Sequence, residues 1–439
     1  MDLGRGKRDE FADPDCGEYG EVAGRIFLMT VTAEWKTVSI GDLGKVVTGK
    51  TPPTSRPELF GEGYPFITPT DIQSEQHWVD TERFVSEEGR KSQRNLLLPA
   101  GSVCFVCIGA TIGKICITKV PSFTNQQINS VVVDDDRFDK RFVYYLLRTK
   151  IDAVKGIAGG SATPIVNKSA FSSVEVDVPP LETQRKIASI LSAYDDLIEN
   201  NTRRIKILEE MAQAIYREWF VNFRFPGHEK VRMVDSPLGR VPEGWEVKPV
   251  TDTVEVNPRT KVPKEGEKPF VPMGSLSNDS MLISDIEVRD GNSGSKFKNC
   301  DTLFARITPC LENGKTGYVQ FLPDAEATAF GSTEFIVLRS RTLCPEYIYL
   351  MARSSEFRDN AIKSMSGATG RQRVSEKCFE QFSIAQPDVA TLEWFSKVAA
   401  QMFKQFFVLA IKNQNLRQTR DLLLPKLISG EVEVRELAV

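Results

Sequence analysis

The chain has 439 residues, 41% of them hydrophobic, and a formal net charge of -3, which allows two or three packed domains and excludes a uniformly basic coat for nucleic acid. No apolar run approaches the roughly 18 residues that a membrane-spanning helix needs, so the sequence predicts a cytoplasmic protein without a membrane partner. Eight cysteines without dense spacing indicate reduced thiols rather than a disulfide framework.

The first 28 residues are rich in charge and glycine and have no hydrophobic periodicity, and the extension is taken to end at residue 33. This composition predicts a disordered N-terminal extension. Met29 stands immediately before the patterned chain begins, so one hypothesis is that the native protein starts at Met29.

Two stretches, 34–180 and 226–388, repeat each other in sequence. Trp35 corresponds to Trp245, YPFITPTDI at 64–72 to KPFVPMGSL at 268–276, and the turn Gly113-Lys114 to Gly314-Lys315. Short runs of Val, Ile and Phe between turn residues predict strands, with one helix near 138–150 and one near 345–363. Each half is therefore predicted to be a mixed α/β domain, and the fold class is α+β.

A long helix is predicted after each half, over 181–225 and 389–435. Pro179-Pro180 cannot continue a strand and lets a helix begin near Leu181. In both segments, residues recur every seven positions, which predicts that the two helices pair as an antiparallel coiled coil and relate the halves by a pseudo-twofold axis. The predicted pairing residues are Ile187, Tyr194, Asn201, Leu208, Ile215, Phe395, Met402, Leu409, Leu416 and Leu423.

Two features of these helices stay open. The alternative to pairing is that each helix packs on its own globular half. Asn201 is the polar residue of the predicted seam and is expected to specify register at a cost in stability, so that Asn201→Leu would stabilise the pair.

Catalytic patterns are weak. Asp235 with Glu246 and Lys248 loosely resembles the carboxylates and lysine of a metal-dependent nuclease, but the repeat partner of this strand, beginning at Lys36, has no such carboxylate. The amino-methyltransferase turn needs a second proline and an aromatic residue, which the segment beginning at Asn257 lacks. The sequence therefore predicts no catalytic residue.

Metal binding is equally weak in the sequence. Cys104 and Cys107 have the spacing of zinc ligands, but His77 and His228 are the only histidines. Buried strand thiols are the favoured interpretation, and no metal site is predicted.

Polar and basic residues in turns at repeat-equivalent places predict a DNA-binding surface. Arg suits guanine edges, Asn and Gln suit adenine edges, and Lys and Thr more often contact phosphates. The predicted contacts are Thr68, Thr70, Arg94, Lys114, Asn125, Gln126 and Gln127 in the first half and Arg306, Lys315, Thr369, Arg371, Gln372 and Arg373 in the second. For each of them the alternative is a solvated loop residue, and for Lys315 an exposed position in a tight turn.

Four strings in this order resemble the specificity subunit of type I restriction-modification enzymes: PPLETQRKIASIL (179–191), EWFVNFRFPG (218–227), SPLGRVPEGWEV (236–247) and LLLPKLISGEV (422–432). The resemblance covers residues 34–435. It implies that 34–180 and 226–388 are target recognition domains that each bind one part of a split double-stranded DNA sequence, and that 181–225 and 389–435 are spacer helices. The first half has Ile165-Val166-Asn167 where the second has Arg373-Val374-Ser375, so its half-site is expected to differ.

The same resemblance implies partners and cofactors. The spacer helices would dock two methyltransferase subunits, and restriction/translocase subunits would join through that complex. This chain would be non-catalytic and bind no cofactor, whereas S-adenosylmethionine, ATP and magnesium would belong to the partner subunits. The alternative function is a two-domain protein-interaction scaffold without DNA recognition.

Overall fold

A computed structural model describes residues 35–73, 77–159, 163–368 and 370–434. The chain divides into two compact units. Unit 1 is Met1–Asp195 with Thr419–Val439, and unit 2 is Asp196–Gln418. The predicted N-terminal extension lies outside the described residues.

Unit 1 holds the first repeat. Its strands are β1 (Lys36–Ser39), β2 (Gly44–Thr48), β3 (Gly63–Ile67), β4 (Phe84–Ser86), β5 (Val103–Val106), β6 (Ile115–Ile117), β7 (Phe123–Thr124), β8 (Ile128–Val133) and β9 (Glu175–Val178). Its helices are α1 (Glu87–Ser92), α2 (Lys140–Thr149), α3 (Ile151–Gly156), α4 (Lys168–Ser172) and the start of α5 (Leu181–Tyr216).

Three sheets build unit 1. The central sheet has the strand order β2-β8-β5-β6, a second sheet has the order β4-β3-β7, and β1 pairs with β9. All pairs are antiparallel except β3 with β7. Phe105 of β5, Phe142 of α2 and Leu191 of α5 share one buried cluster, which places the central sheet, α2 and the first part of α5 around the same core.

Unit 2 holds the second repeat. Its strands are β10 (Met233–Ser236), β11 (Gly239–Pro242), β12 (Glu246–Pro249), β13 (Val254–Val256), β14 (Lys268–Val271), β15 (Glu287–Arg289), β16 (Ser295–Lys298), β17 (Thr302–Ala305), β18 (Thr316–Tyr318), β19 (Thr328–Gly331), β20 (Phe335–Ser340) and β21 (Ser383–Gln386). Its helices are α6 (Val250–Thr253), α7 (Pro345–Arg353), α8 (Ser355–Lys363) and most of α9 (Val389–Ile428).

The topology of unit 2 repeats that of unit 1, with β16 added to the second sheet and the hairpin of β10 and β11 added before β12. Its central sheet has the order β13-β20-β17-β18, a second sheet has the order β15-β14-β19-β16, and β12 pairs with β21. As in unit 1, the pair that carries the repeated Pro-Phe string is parallel, here β14 with β19. The prediction of two repeated mixed α/β domains is thereby confirmed.

The helix α5 begins at Leu181, as the two prolines predict, and continues after Tyr216 as a π-helical turn, Arg217–Val221. The side chain of Gln184 donates to the carbonyl of Pro179 at 2.9 Å and so satisfies a backbone acceptor at this helix start. At the start of α9, Asp388 accepts from the backbone of Thr391 at 2.9 Å, the hydrogen bond of an N-cap.

Within unit 2, α5 and α9 pair in antiparallel directions. Asn201 Nδ2 lies 2.9 Å from Asn413 Oδ1, and further along α5 the ring of Trp219 lies 5.8 Å from that of Phe395. Moving forward along α5 therefore means moving backward along α9. A coiled coil along the full length, and the pseudo-twofold axis, stay predictions.

The buried face of α9 differs from the predicted stripe. The buried residues recur at alternating steps of four and three, at Ala399, Phe403, Phe406, Ala410 and Asn413, whereas Met402 and Leu416 lie beside this stripe and are half-buried. One reason is that α9 also packs on its own unit, where the ring of Phe403 lies 4.9 Å from that of Tyr318 in β18. Pairing and packing on the globular half, stated above as alternatives, therefore occur together in unit 2.

Candidate nucleic-acid interface

In unit 1, three loops that carry predicted DNA contacts lie together. The loop after β3 accepts a hydrogen bond from the ammonium of Lys114, which reaches the carbonyl of Pro69 at 2.8 Å. The loop after β7 joins the end of β3 through Asn125 N and Ile67 O at 3.2 Å, and its Gln127 carbonyl accepts from Cys107 N at 2.7 Å. The fold thus brings distant polar segments to one end of the two sheets.

Thr68 and Thr70 have different surroundings in the loop after β3. The buried hydroxyl of Thr68 donates to Asp71 at 2.7 Å and accepts from Arg83 at 2.6 Å. Thr70 is exposed, with its hydroxyl 2.9 Å from that of Thr68. Thr68 therefore holds the shape of the loop, and Thr70 is the threonine that faces solvent.

The loop after β7 also contains one buried and one exposed candidate residue. Asn125 is buried and donates to Gln127 Oε1 at 2.9 Å, whereas Gln126 is exposed and accepts from Thr51 at 2.8 Å. Arg94 is also exposed, in a short 3-10 helix, and no described contact joins it to these loops.

In unit 2, two of the predicted arginines are paired with carboxylates. Arg373 forms a two-pronged ion pair with Glu334, at 2.9 Å from Nε and 2.6 Å from Nη2. Hydrogen bonding in this pair lowers the pKa of Glu334 and raises the pKa of Arg373. Arg306 contacts Glu376 at 3.2 Å and the carbonyl of Val374 at 3.3 Å.

Ser366 and Arg373 pair as an antiparallel bridge. The backbones of Ser366 and Arg373 exchange hydrogen bonds of 3.1 and 2.9 Å, and Gln372 N donates to Thr308 Oγ1 at 3.1 Å. Gly370 has φ +82°, a conformation that favours glycine. Arg371 follows at the turn and is exposed, and no carboxylate of the described residues lies within ion-pair distance of it. Thr369 lies outside the described residues.

Sequence reasoning missed part of this surface. Arg259, Lys296 and Thr333 line a cavity of about 350 Å³ together with Arg306. Thr333 could have been found from the repeat, because the parallel strand pairing that places Phe123 beside Phe66 places Phe330 beside Phe270. Thr333 lies three residues after Phe330, as Gln126 lies three residues after Phe123. Thr333 therefore occupies the place in unit 2 that Gln126 has in unit 1.

The weaker chemical patterns form no site in the described structure. Glu246 and Lys248, two positions apart in β12, form an ion pair of 2.5 Å. Cys107 is buried, and burial raises the pKa of its thiol to about 11. Among the described residues no group of three or more His, Cys, Asp or Glu could hold a metal ion, and no helix is long and apolar enough to cross a bilayer.

A family model for the type I restriction modification DNA specificity domain matches residues 32–210 and 242–419. Each match takes in one half of the repeat and much of the long helix after it. Together the two matches cover more than half of the chain.

Individual relatives agree with this family model. The chain is 29% identical over 448 residues to the type I restriction enzyme MjaIX specificity subunit of Methanocaldococcus jannaschii, covering 98% of both chains. It is 34% identical over 182 residues to the type I restriction enzyme HindI specificity subunit of Haemophilus influenzae, covering 40% of this chain and 39% of that protein.

A solved structure shares the fold. The S subunit of a type I restriction-modification system from M. genitalium superposes with a TM-score of 0.58 at 14% identity, over 91% of this chain and 98% of that one. At this identity the likeness concerns the fold alone.

Proposed function

The chain belongs to the family of type I restriction-modification DNA specificity domains, and from this premise we propose that it is the non-catalytic subunit that recognises a two-part DNA target. The duplicated topology carries the proposal. The central sheets of both units have the same strand order, and both units bring polar loops to the end of the strand pair that includes β3 or β14. Two equivalent surfaces suit two half-sites, one per unit.

The DNA contacts that we propose are the exposed members of the predicted set. In unit 1 these are Thr70, Arg94 and Gln126, and in unit 2 Arg371 is the arginine that is free to approach a base. Arg306 and Arg373 are already oriented by Glu376 and Glu334, which leaves part of each guanidinium for a nucleic acid acceptor.

The proposal that partner subunits bind this chain is supported by exposed apolar side chains on the long helices. On α5, Leu197, Ile207 and Met211 are 51%, 46% and 46% exposed, and on α9 Trp394 is 50% exposed. Ile207 and Met211 lie one helical turn apart, and adjoining exposed apolar side chains of this kind mark protein interfaces. We propose that two methyltransferase subunits cover it and that restriction/translocase subunits join through them.

The chemistry of the complex belongs to these partners in our proposal. They would bind S-adenosylmethionine, ATP and magnesium, and the assembly would act on DNA in the cytoplasm. A protein-interaction scaffold without DNA recognition is not favoured by the family match.

The experiment is a map of methylated adenines in the host genome, with and without this gene. We expect a two-part motif that disappears when the gene is deleted. Replacing residues 34–178 by the corresponding segment of another recognition domain should then change one part of the motif and preserve the other. A genome map that is the same with and without the gene would refute the function, and a change in both parts would refute the division between units.

A further inference from the structure

The two repeats contain the same lysine contact. Lys114 donates from Nζ to the carbonyl of Pro69 at 2.8 Å, and Lys315 donates from Nζ to the carbonyl of Met273 at 3.1 Å. Pro69 and Met273 hold the same place, the sixth, in the repeated strings YPFITPTDI and KPFVPMGSL. The contact thus occurs twice, between equivalent donors and equivalent acceptors, although the surrounding side chains differ.

Each lysine is held by the turn that precedes it. Gly113 and Gly314 have φ +98° and +83°, which favour glycine. The carbonyl of Lys114 accepts from Val106 N at 2.9 Å, and that of Lys315 accepts from Ala305 N at 3.2 Å. The backbone of each lysine is therefore tied to the central sheet, and its side chain extends to the loop of the second sheet.

In unit 1 the loop that receives this bond carries the proposed DNA contact Thr70, and in unit 2 the receiving loop holds the equivalent place in the repeat. In unit 1 the loop contains Thr68 and Thr70, and in unit 2 it contains the 3-10 turn Met273–Ser275. Both lysines are half-buried, and a bond from an ammonium to a carbonyl is stronger than one between neutral groups. The bond therefore restrains the loop against the central sheet.

We propose that Lys114 and Lys315 are positioning residues for DNA recognition: each holds the loop after β3 or β14 in the conformation that contacts its half-site, and neither acts by neutralising a DNA phosphate. This inference rests on the proposed function. It replaces the sequence-based expectation that these two lysines contact DNA.

The two roles differ in their response to salt. A lysine that neutralises a phosphate releases counterions, so its removal lowers the slope of log affinity against log salt by about 0.9 and weakens binding to all sequences alike. A lysine that positions a loop leaves this slope unchanged, and its removal weakens discrimination between the correct and incorrect half-site.

The test uses the full chain assembled with its methyltransferase subunits and a duplex that carries the motif from the genome map. Lys114→Met and Lys315→Met remove donor and charge, and Lys119→Met, on an exposed lysine paired with Asp80, is the matched control. In Lys114→Met and Lys315→Met we expect a loss of about 5- to 150-fold in discrimination, the size of a base-pair mismatch, confined to one half-site in each, and no loss in Lys119→Met. The salt slope should stay at the wild-type value in all three variants.

Lys114→Gln and Lys315→Gln keep a donor but remove the charge, and they serve if a methionine variant does not fold. For the glutamine variants the salt slope by itself distinguishes the two roles. A wild-type slope supports the positioning role, and a slope lower by about 0.9 overturns the proposal. Full discrimination in the methionine variants would also overturn it. If the wild-type complex prefers no sequence, the proposed function itself fails, together with the inference that depends on it.

Discussion

Asn201 and Asn413 form a buried amide pair between the two long helices, with Nδ2 of the first 2.9 Å from Oδ1 of the second. The amide of Asn413 also lies 3.2 Å from the carbonyl of Ile198 and 3.1 Å from the hydroxyl of Thr202. These contacts give the polar groups in this part of the helix pair partners on the opposite helix. A shift of one helix along the other would leave them buried without partners, at a cost in free energy.

The amide pair predicts the effect of leucine at either position. Asn413→Leu or Asn201→Leu should each lower the free energy of unfolding by about 1–3 kcal/mol, because the remaining buried amide loses its hydrogen bond to the other asparagine. The double substitution should recover part of this loss. Thermal unfolding of the three variants measures the coupling, and additive losses would contradict it. This revises the sequence-based expectation that Asn201→Leu stabilises the pair.

A buried ion pair in unit 1 predicts a larger effect. Arg420 Nη1 lies 2.6 Å from Asp195 Oδ1, and the hydroxyl of Tyr145 donates to Asp195 Oδ2 at 2.6 Å. Arg420→Met leaves the buried carboxylate without its cation and should destabilise unit 1 by about 3–5 kcal/mol. Denaturant unfolding is the measurement, and Lys426→Met, on a half-exposed lysine, is the control. Equal stability of the two variants would refute the prediction.

Glu209 in unit 2 predicts a pH dependence of stability. Burial raises the pKa of its carboxyl to about 7, from an ordinary value of 4.5, although it accepts from Met281 N at 2.6 Å. Between these two pH values the folded state binds more protons than the unfolded state, so the free energy of unfolding falls as pH rises through the window. The total fall is at most about 3 kcal/mol, at about 1.36 kcal/mol per pKa unit.

The matched variants for this prediction are Glu209→Gln and Glu210→Gln. Glu209→Gln should remove the dependence and be more stable than the wild type at pH 8, whereas Glu210→Gln, on an exposed neighbour, should keep it. Melting temperatures from pH 5 to pH 8 provide the comparison. A wild-type slope in Glu209→Gln would show that another group titrates.

Adjacent residues on α9 offer a test of its buried face. Leu409 is 4% exposed and Val408 is 38% exposed. Leu409→Asp buries an unpaired carboxylate and should cost several kcal/mol, on the order of 2–7, whereas Val408→Asp should cost far less. Thermal unfolding separates them, and similar melting temperatures would mean that Leu409 is not in the core.

Arg371 provides a test of base recognition. Arg371→Ala should relax the methylated motif at one position of the second half-site, equivalent to about 1–3 kcal/mol of discrimination. Arg240→Ala, on an exposed arginine of the β10–β11 hairpin, should leave the motif unchanged. Sequencing of methylated sites measures both. An unchanged motif in Arg371→Ala would remove this residue from the recognition surface.

The sequence predicted the repeated domains and the start of α5 because these depend on local patterns. The repeated strings lie on equivalent strands, and the two prolines that cannot extend a strand end the pairing of β9. Such signals lie within a few residues of the feature that they predict.

The partners of the polar residues could not be predicted in this way. Asn413, Asp195 and Arg420 look like surface residues until the opposite helix is in place, so the sequence revealed only Asn201. Glu376 is 70 positions from Arg306, and Glu334 is 39 from Arg373, too far for a pattern of neighbours to indicate an ion pair. These distant contacts determine which candidate residues have partners in the fold and which are exposed.

Unit 1 is built from both an early and a late segment of the chain, and this affects the order in which the two units fold. Leu424 and Leu427, near the end of the chain, belong to the same buried cluster as Ile40 and Leu43, near its beginning. A ribosome releases the N-terminal residues first, but the core of unit 1 is complete only after the last helix has emerged. Unit 2, whose residues 196–418 are contiguous, has its whole sequence available earlier. The half whose synthesis starts first is therefore the half whose core is completed last.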